Sequence, residues 1–417
     1  MADRIEIENR EELFFFLAEA AELEHLLCGS YLFAAFSLKR DPSEGLTPAQ
    51  QAAVSVWEQQ LVHIAVQEMG HLALVNNLQV ALGGAPLFQR PSYPQHGKYY
   101  PPHIELTLAP FNEATVERFV FLEQPREGPA EGGPPPTAPE RSEKTVTDHE
   151  VVPEPQSYAT VGQLYDAIEA GIRGLVDRHG EGQVFVGPPA AQATEALFDL
   201  TGLIAVTDYA SACRAIAQIV EEGEGTRGER DDAHYGLFRQ MQREYRDLLE
   251  EDPRFVPSRP VVANPCTRLP SDATGAALID EQRTVDLMDL FNAVYGLMLL
   301  QLGRFYIQDG ETTEESDALV GTAISTMTEV LAPLGRLLTQ LPAGRSFPEQ
   351  TSGPGFEVHR ALQPPPHRRA AAVLLHEKWA ELLDYSARLR DADGAPPGLD
   401  AIHEALARTA NGLAAYR

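Results

Sequence analysis

Residues 61–82 read LVHIAVQEMGHLALVNNLQVAL. Leu61, Ile64, Glu68, His71, Val75, Leu78 and Leu82 recur at steps of three and four, so they share one face of a helix. That face is apolar except for Glu68 and His71. A carboxylate and an imidazole on a core face lose their hydration at a cost unless something compensates. Glu-x-x-His sets an oxygen and a nitrogen ligand one turn apart and pointing the same way, so a metal ion is one compensation. A buried Glu–His hydrogen bond that only fixes helix packing is the other. The choice turns on whether partner residues occupy similar stripes elsewhere.

Upstream, a helix is predicted from the N-cap Asn9, with Glu11 and Glu12 in its first turn, to about residue 39. Leu17, Ala20, Ala21, Glu24, Leu27, Cys28, Tyr31 and Ala35 form one face, which places Glu24 among apolar neighbours at mid-helix. Glu19 and Glu22 are read as solvent-facing. Thr47-Pro48 starts the second helix and Gly83-Gly84 stops it. The short loop between the two helices makes them antiparallel. Glu24 and Glu68 then meet at the same level of a bundle.

Downstream, residues 85–110 are rich in proline and aromatics and are expected as irregular surface structure, either a lid over a pocket or a wrap over the helix ends. His96 and His103 lie here without ligand-like spacing. A short helix is expected over 112–121. The stretch 126–156 contains GPAEGGPPPTAPE and is read as an extended insert. Next come a helix over 161–178, a short strand over 183–186 and a helix from about Thr207, on which Glu221 shares a narrow face with Ala210, Cys213 and Ala217. A further helix over 231–249 carries His234 on a stripe with Leu237, Phe238, Met241, Tyr245 and Leu248. Asp231, one turn before His234, repeats the Glu68-x-x-His71 pattern more weakly. The remaining third is amphipathic helix without a comparable cluster.

Composition narrows the function classes. The 417 residues are 43% hydrophobic, enough for a sizeable core. The 61 acidic and 33 basic residues give a net charge of -28, which argues against nucleic-acid partners and anionic membranes. Cys28, Cys213 and Cys266 are too scattered for a disulfide framework or a thiolate metal site, which fits a reducing cytosol. The N-terminal MADRIEIENREE has no signal-peptide pattern. The most apolar span, 290–302, is too short for a bilayer. A cytoplasmic protein without a membrane segment is the expectation.

The stripe residues together are Glu24, Glu68, His71, Glu221 and His234, with Asp231 as a weaker addition. The set approximates a di-metal carboxylate bundle, in which each pair of helices supplies one Glu and one Glu-x-x-His. Ligands of this hardness suit iron or manganese. The sequence also resembles a known family, through ELEHLLCGSYL (22–32), VHIAVQEMGHLALVNNLQVALGGAPLF (62–88), FVFLEQP (119–125) and IVEEGEGT with AHYGLF (219–238). These stretches are similar to the ferritin-like domain family associated with iminophenyl-pyruvate dimer synthases and with the VioB and chromopyrrolate synthase type proteins. The resemblance covers about the first 250 residues. It implies metal ligation by Glu24, Glu68, His71, Glu221 and His234. Gly29-Ser30 stands where that pattern leads one to expect a proline pair, and Asp231 where a second Glu-x-x-His would have glutamate. One ion is therefore expected to be held by fewer protein ligands, more weakly, or not at all.

The expected architecture is a mainly α, ferritin-like four-helix bundle with peripheral helices and long proline-rich loops. Residues 1–250 would form the bundle, with the insert at about 126–156, and 251–417 a helical extension packed on it. The expected function is a di-iron oxidoreductase that uses dioxygen or peroxide on a small amino-acid-derived or natural-product precursor. Two iron ions are expected, with manganese as the other candidate. Tyr31, two turns from Glu24 on the same face, is the candidate catalytic side chain, with packing as its alternative role. The competing function is a non-catalytic metal-binding or scaffold protein of a biosynthetic cluster. Either reading leaves room for a homo-oligomer.

Overall fold

Asn9 starts the first helix by accepting from the Glu12 N–H, and α1 runs Arg10–Ser37. A short 3-10 turn, Pro42–Glu44, leads to Thr47, which makes a capping box with Gln50 ahead of Pro48 and begins α2, Pro48–Ala81. Gly83 then turns the chain away in the left-handed region, at φ 88°. At about 1.5 Å per residue the two helices are roughly 42 and 51 Å long, and they pack as an antiparallel hairpin. The structure is a computed structural model that describes residues 5–96, 104–125, 156, 158–224, 231–269, 275–358 and 363–417.

Six helices build around this hairpin: α3 Glu113–Leu122, α4 Val161–His179, the single turns α5 Glu181–Val184 and α6 Glu195–Phe198, α7 Tyr209–Glu224 and α8 His234–Glu251. The helices α7 and α8 pack on α2, α4 lies across α1 and α7, and α3 lies on α8. A second helical layer follows, with α9 Gln282–Tyr306, α10 Thr313–Ser325, a π-helical turn Thr326–Leu331, α11 Ala332–Leu338, α12 Arg368–Asp391 and α13 Leu399–Gly412. There α9 packs on α10, α11 and α12, and α11 reaches back to α1. One apolar core runs continuously from the first layer into the second. The sheets are minor: β1 Gln95–His96 pairs antiparallel with β2 Glu105–Leu106, and β3 Pro265–Cys266 pairs parallel with β4 Ala277–Leu278.

Two adjacent asparagines anchor the loops to α2. Asn76 donates to Leu87 O and accepts from Leu87 N–H, while Asn77 donates to Ala193 O and Ile204 O and accepts from Ala193 N–H. Both are fully buried, so the loop backbone finds its partners inside the core. The described part of residues 85–110 is largely a wrap: Leu106, Leu108 and Phe111 are fully buried beneath it. His103 and the side chain of His96 lie outside the described residues, as do 126–155 of the proline-rich insert.

Several expectations need correction. Glu19 is buried and accepts from the Tyr158 hydroxyl at 2.8 Å, and Glu22 is half-buried, because α1 is covered by α2, α4 and α11 together. The strand expected over 183–186 is the helical turn α5, whose end carbonyls at Gln183 and Val184 accept from the Arg10 guanidinium. Asp231 lies in a turn before α8, since that helix begins only at His234. By length and composition alone, α9 and the continuous helical segment Thr313–Leu338 could cross a membrane, unlike the short span read from sequence. Most of the apolar stretch of α9 is buried within the second layer, as in a core helix.

Gly29 has a steric reason. The Tyr93 hydroxyl donates to Leu26 O at 2.6 Å, and a Cβ at position 29 would lie 2.3 Å from that hydroxyl. The close approach of Tyr93 to α1 requires a glycine there.

Candidate metal centre

Helix periodicity carries the site into the core. Glu24 comes from the middle of α1, Glu68 and His71 from α2, and His234 from the first position of α8, and each is 2% exposed or less. Glu68 stands between the two imidazoles. Its Oε2 is 3.0 Å from His71 Nδ1 and its Oε1 is 3.1 Å from His234 Nδ1. Glu24 Oε2 lies 3.5 Å from His71 Nδ1. On the other side, Glu123 Oε2 lies 3.7 Å from His234 Nδ1. Two triads result, Glu24–Glu68–His71 and Glu68–Glu123–His234, and within each the ligand atoms fall within 4.8 Å of one another. Glu68 belongs to both.

The histidines present the same nitrogen to the cluster. His71 Nε2 is 2.9 Å from Glu222 Oε2, and His234 Nε2 is 3.3 Å from Gln67 Oε1. An N–H at Nε2 donates to each oxygen and leaves Nδ1 with its lone pair toward the carboxylates, as a metal-binding imidazole needs. Gln218 donates to Glu222 at 2.7 Å and steadies that outer carboxylate. Two tyrosines complete the shell: Tyr165 donates to Glu24 Oε1 and Tyr31 to Glu123 Oε1. Packing orients Tyr31 against Phe119 and Phe238.

The electrostatics call for positive charge. Burial, then the neighbouring Glu68, pushes the Glu24 carboxyl up to about 7. Burial alone would lower both histidines, yet the surrounding carboxylates lift His234 to about 9 and His71 well above the ordinary imidazole range. Burial acts to raise Glu68, but His234 and His71 outweigh it and hold the group below its usual value. Glu222 is likewise lowered by His71 against its burial. Protons gathered on the histidines and Glu24 supply the charge that cations would otherwise bring.

The residues fit a pair of metal ions. His234 Nδ1 is buried and makes no hydrogen bond although an oxygen lies 3.1 Å away. Two ligand atoms at right angles around an ion at roughly 2.1 Å are themselves about 3 Å apart. At His234 the geometry suits shared coordination better than hydrogen bonding, whereas His71 Nδ1 is also within hydrogen-bond geometry of Glu68 Oε2. The donors are carboxylate oxygens and imidazole nitrogens, which suit iron or manganese. A cavity of about 30 Å³ adjoins the cluster, lined by Glu24, Glu68, His71, Glu123 and Tyr165 among others, with room for a water-sized molecule.

Of the residues singled out in the sequence, the structure brings together Glu24, Glu68, His71 and His234, with Tyr31 touching the cluster through Glu123. It does not bring in Glu221, which is exposed. The buried stripe of α7 runs through Ala212, Ala215, Ile216 and Ile219, and three residues after Ile219 it reaches Glu222. Asp231 is exposed and off the helix, so it gives no second Glu-x-x-His. The missing carboxylate is Glu123, the C-cap of α3. It follows Val116 and Phe119 on the buried side of that helix, the same signal that marked Glu24. Tyr165 was equally readable, one turn before Ile168 on the buried stripe of α4.

The ferritin-like family model matches residues 17–243, more than half of the chain and every residue of the cluster. The chain belongs to the ferritin-like family. Among curated relatives, this ferritin-like chain is 28% identical to 2-imino-3-(indol-3-yl)propanoate dimerase of Chromobacterium violaceum, over 84% of the chain and 34% of the relative. It is 25% identical to dichlorochromopyrrolate synthase of Lentzea aerocolonigenes, over 84% of the chain and 36% of the relative. The chain thus spans about a third of the length of these relatives. Among solved structures, a ferritin-like protein from Caulobacter vibrioides is 18% identical, with a TM-score of 0.47, over 77% of this chain and 96% of that one.

Proposed function

We propose that the chain is a di-metal oxidoreductase, with iron as its resident metal and manganese as the alternative. In this reading it acts on a small amino-acid-derived or natural-product precursor with dioxygen or peroxide as oxidant. The observation that carries the proposal is the position of Glu68, one oxygen toward each histidine. Glu24 and His71 would hold one ion, Glu123 and His234 the other, and Glu68 both. When bound, such a pair supplies the electrons and Lewis acidity for reducing a small oxidant. The chain's own residues prepare the site. Tyr165 and Tyr31 orient the outer carboxylates, Glu222 and Gln67 fix the imidazole tautomers, and Leu122, Val161 and Ile219 give the adjoining cavity an apolar lining. The two relatives are named for an imine dimerase and a chromopyrrolate synthase, which supports a secondary-metabolic precursor as substrate class.

A second reading, a non-catalytic metal-binding or scaffold protein of a biosynthetic cluster, draws support from the cavity at the carboxylates, whose 30 Å³ has no room for an organic substrate. Dioxygen uptake separates the two. Protein reconstituted with ferrous iron and given an aromatic amino-acid-derived imine should consume dioxygen over many turnovers, and Glu68→Ala should not. Uptake that ends with oxidation of the bound iron would favour the scaffold reading.

A further inference from the structure

A cleft of about 870 Å³ lies in the second helical layer, between α9, α12 and the segment around Gly355–Val358. At its floor is Glu357, 7% exposed. Thr267 N–H, Thr267 Oγ1 and Asn292 Nδ2 all donate to Glu357 Oε2, at 2.9, 3.0 and 2.9 Å. Among the described residues no donor reaches Oε1, and no Lys, Arg or His lies within ion-pair distance of this carboxylate. A buried carboxylate stabilised only by neutral donors on one oxygen is open to a cation on the other.

The segment is held in place at a conformational cost. Phe356 has φ 47°, in the left-handed region that a bulky residue rarely adopts. Its carbonyl accepts from Arg90 Nη2 at 2.6 Å, and its ring sits against Phe291 and Tyr295. Asn292 Oδ1 accepts from the Glu357 N–H, so the pair fixes the carboxylate from both sides. This backbone aims Glu357 at the cleft.

The wall has an unexplained glycine. Asn292, Gly296 and Leu300 recur at steps of four on the face of α9 that lines the cleft, with Leu297 beside them. Glycine in a helix interior is less favourable than alanine, and at Gly29, Gly171 and Gly335 a side chain within 3 Å of the absent Cβ gives the reason, whereas Gly321, like Gly296, has no such contact. At Gly296 an added Cβ would meet no atom within 4 Å. Packing does not require the glycine, whereas a flat molecule lying against the backbone of α9 would.

We propose that this cleft binds a small primary amine with a flat apolar body, its ammonium on Glu357 Oε1 and its ring against Gly296 and Leu297. Asp289 and Glu381 in the lining are balanced by Arg268 and Lys378, so the preference for a cation rests on Glu357 itself. The site meets α1 through Tyr93, which lines the cleft and hangs from Leu26 O, while Glu24 on the same helix faces the carboxylate cluster. The proposal stands apart from the metal reading and is tested with chelator present.

Calorimetric titration of the full chain with tryptamine, 3-ethylindole and indole-3-propionate tests it, because the three share a ring and differ in charge. Tryptamine should bind at least about tenfold more tightly than 3-ethylindole, and indole-3-propionate more weakly than either. Glu357→Gln, which keeps an oxygen for the three donors, should erase the preference for the amine. Gly296→Leu should abolish binding of both indoles, while Gly296→Ala keeps the thermal midpoint at or above that of the parent. The proposal falls if the parent does not bind tryptamine, if Glu357→Gln binds it equally well, or if Gly296→Leu leaves binding intact. Should Glu357→Gln fail to fold, the Gly296 pair decides.

Discussion

His234 Nδ1 sits 3.1 Å from Glu68 Oε1, fully buried, and does not hydrogen-bond to it. The same carboxylate places its other oxygen 3.0 Å from His71. One glutamate thus serves two ligand groups, and its loss should be felt on both sides. Anaerobic titration with ferrous iron, followed by elemental analysis, should find about two ions per chain in the parent and none retained in Glu68→Ala. His234→Ala and Glu123→Ala should each retain about one. Glu221→Ala should match the parent, and a loss of metal in that variant would contradict the assignment of Glu222 and Glu123.

The pH response of the metal-free chain has a definite sign. Glu24 at about 7, and His234 at about 9, lie above the values of the same groups in an unfolded chain, 4.5 and 6.5. A group raised on folding contributes stability that is fully present below the unfolded value and lost as pH rises through the folded one. Glu68 and Glu222 are shifted downward, so their contributions change only below their ordinary value of 4.5. Between about pH 6 and 8.5 the chelated protein should therefore lose thermal stability, while metal, which displaces these protons, should bind more tightly. Thermal midpoints of chelated and manganese-loaded protein should diverge as pH rises. A constant gap would show that the cluster carries no such protons.

Tyr31 and Tyr165 touch different triads, Tyr31 through Glu123 and Tyr165 through Glu24. Tyr31→Phe removes the donor to Glu123 and Tyr165→Phe the donor to Glu24. Each should weaken one metal site by about 10- to 100-fold and leave the other near its parent affinity. Stepwise titration resolves the two events, and equal weakening of both by either variant would contradict the division.

Asn77 offers a stability test remote from the cluster. Asn77→Ala strands Ala193 N–H, Ala193 O and Ile204 O without their partners. With each buried orphan costing about 1–3 kcal/mol, the loss should be about 3–5 kcal/mol by urea unfolding. A loss below about 1 kcal/mol would mean that water replaces the amide.

Gly29 and Tyr93 should behave as a pair. Gly29→Ala drives a methyl into the Tyr93 hydroxyl and should cost about 1–3 kcal/mol. Adding Tyr93→Phe removes the atom that is struck, so the double variant should recover part of that loss in a double-mutant cycle. Strict additivity would show that the backbone moves instead.

The hairpin was legible because its caps and its apolar period agree. Asn9, Thr47-Pro48 and Gly83-Gly84 mark the ends, and the stripe through Leu61 and Leu82 marks the inner face. Glu24, Glu68, His71 and His234 were found because a polar residue on such a stripe stands out. Glu221 and Glu222 are adjacent, and choosing between them needs the stripe's phase, which Ile216 and Ile219 set and the small residues at 210, 213 and 217 obscured. Glu123 escaped because a helix of ten residues ending near a proline gives too short a period to weigh. Glu19 was misjudged because no pattern within α1 reveals that a residue far along the chain, Tyr158 just before α4, meets its carboxylate.

Three consecutive residues of α1 face three different neighbours: Glu24 the carboxylate cluster, His25 the Tyr295 hydroxyl on α9, and Leu26, through its carbonyl, Tyr93 at the cleft. The helix is a shared partition between two chambers. Any free energy by which an occupant of one chamber displaces this rung is exerted equally on the other, since linkage between binding sites is reciprocal. If metal on one side alters amine affinity on the other, the amine must alter metal affinity by the same factor. The sign and size of that factor would measure how far a single turn of helix can move.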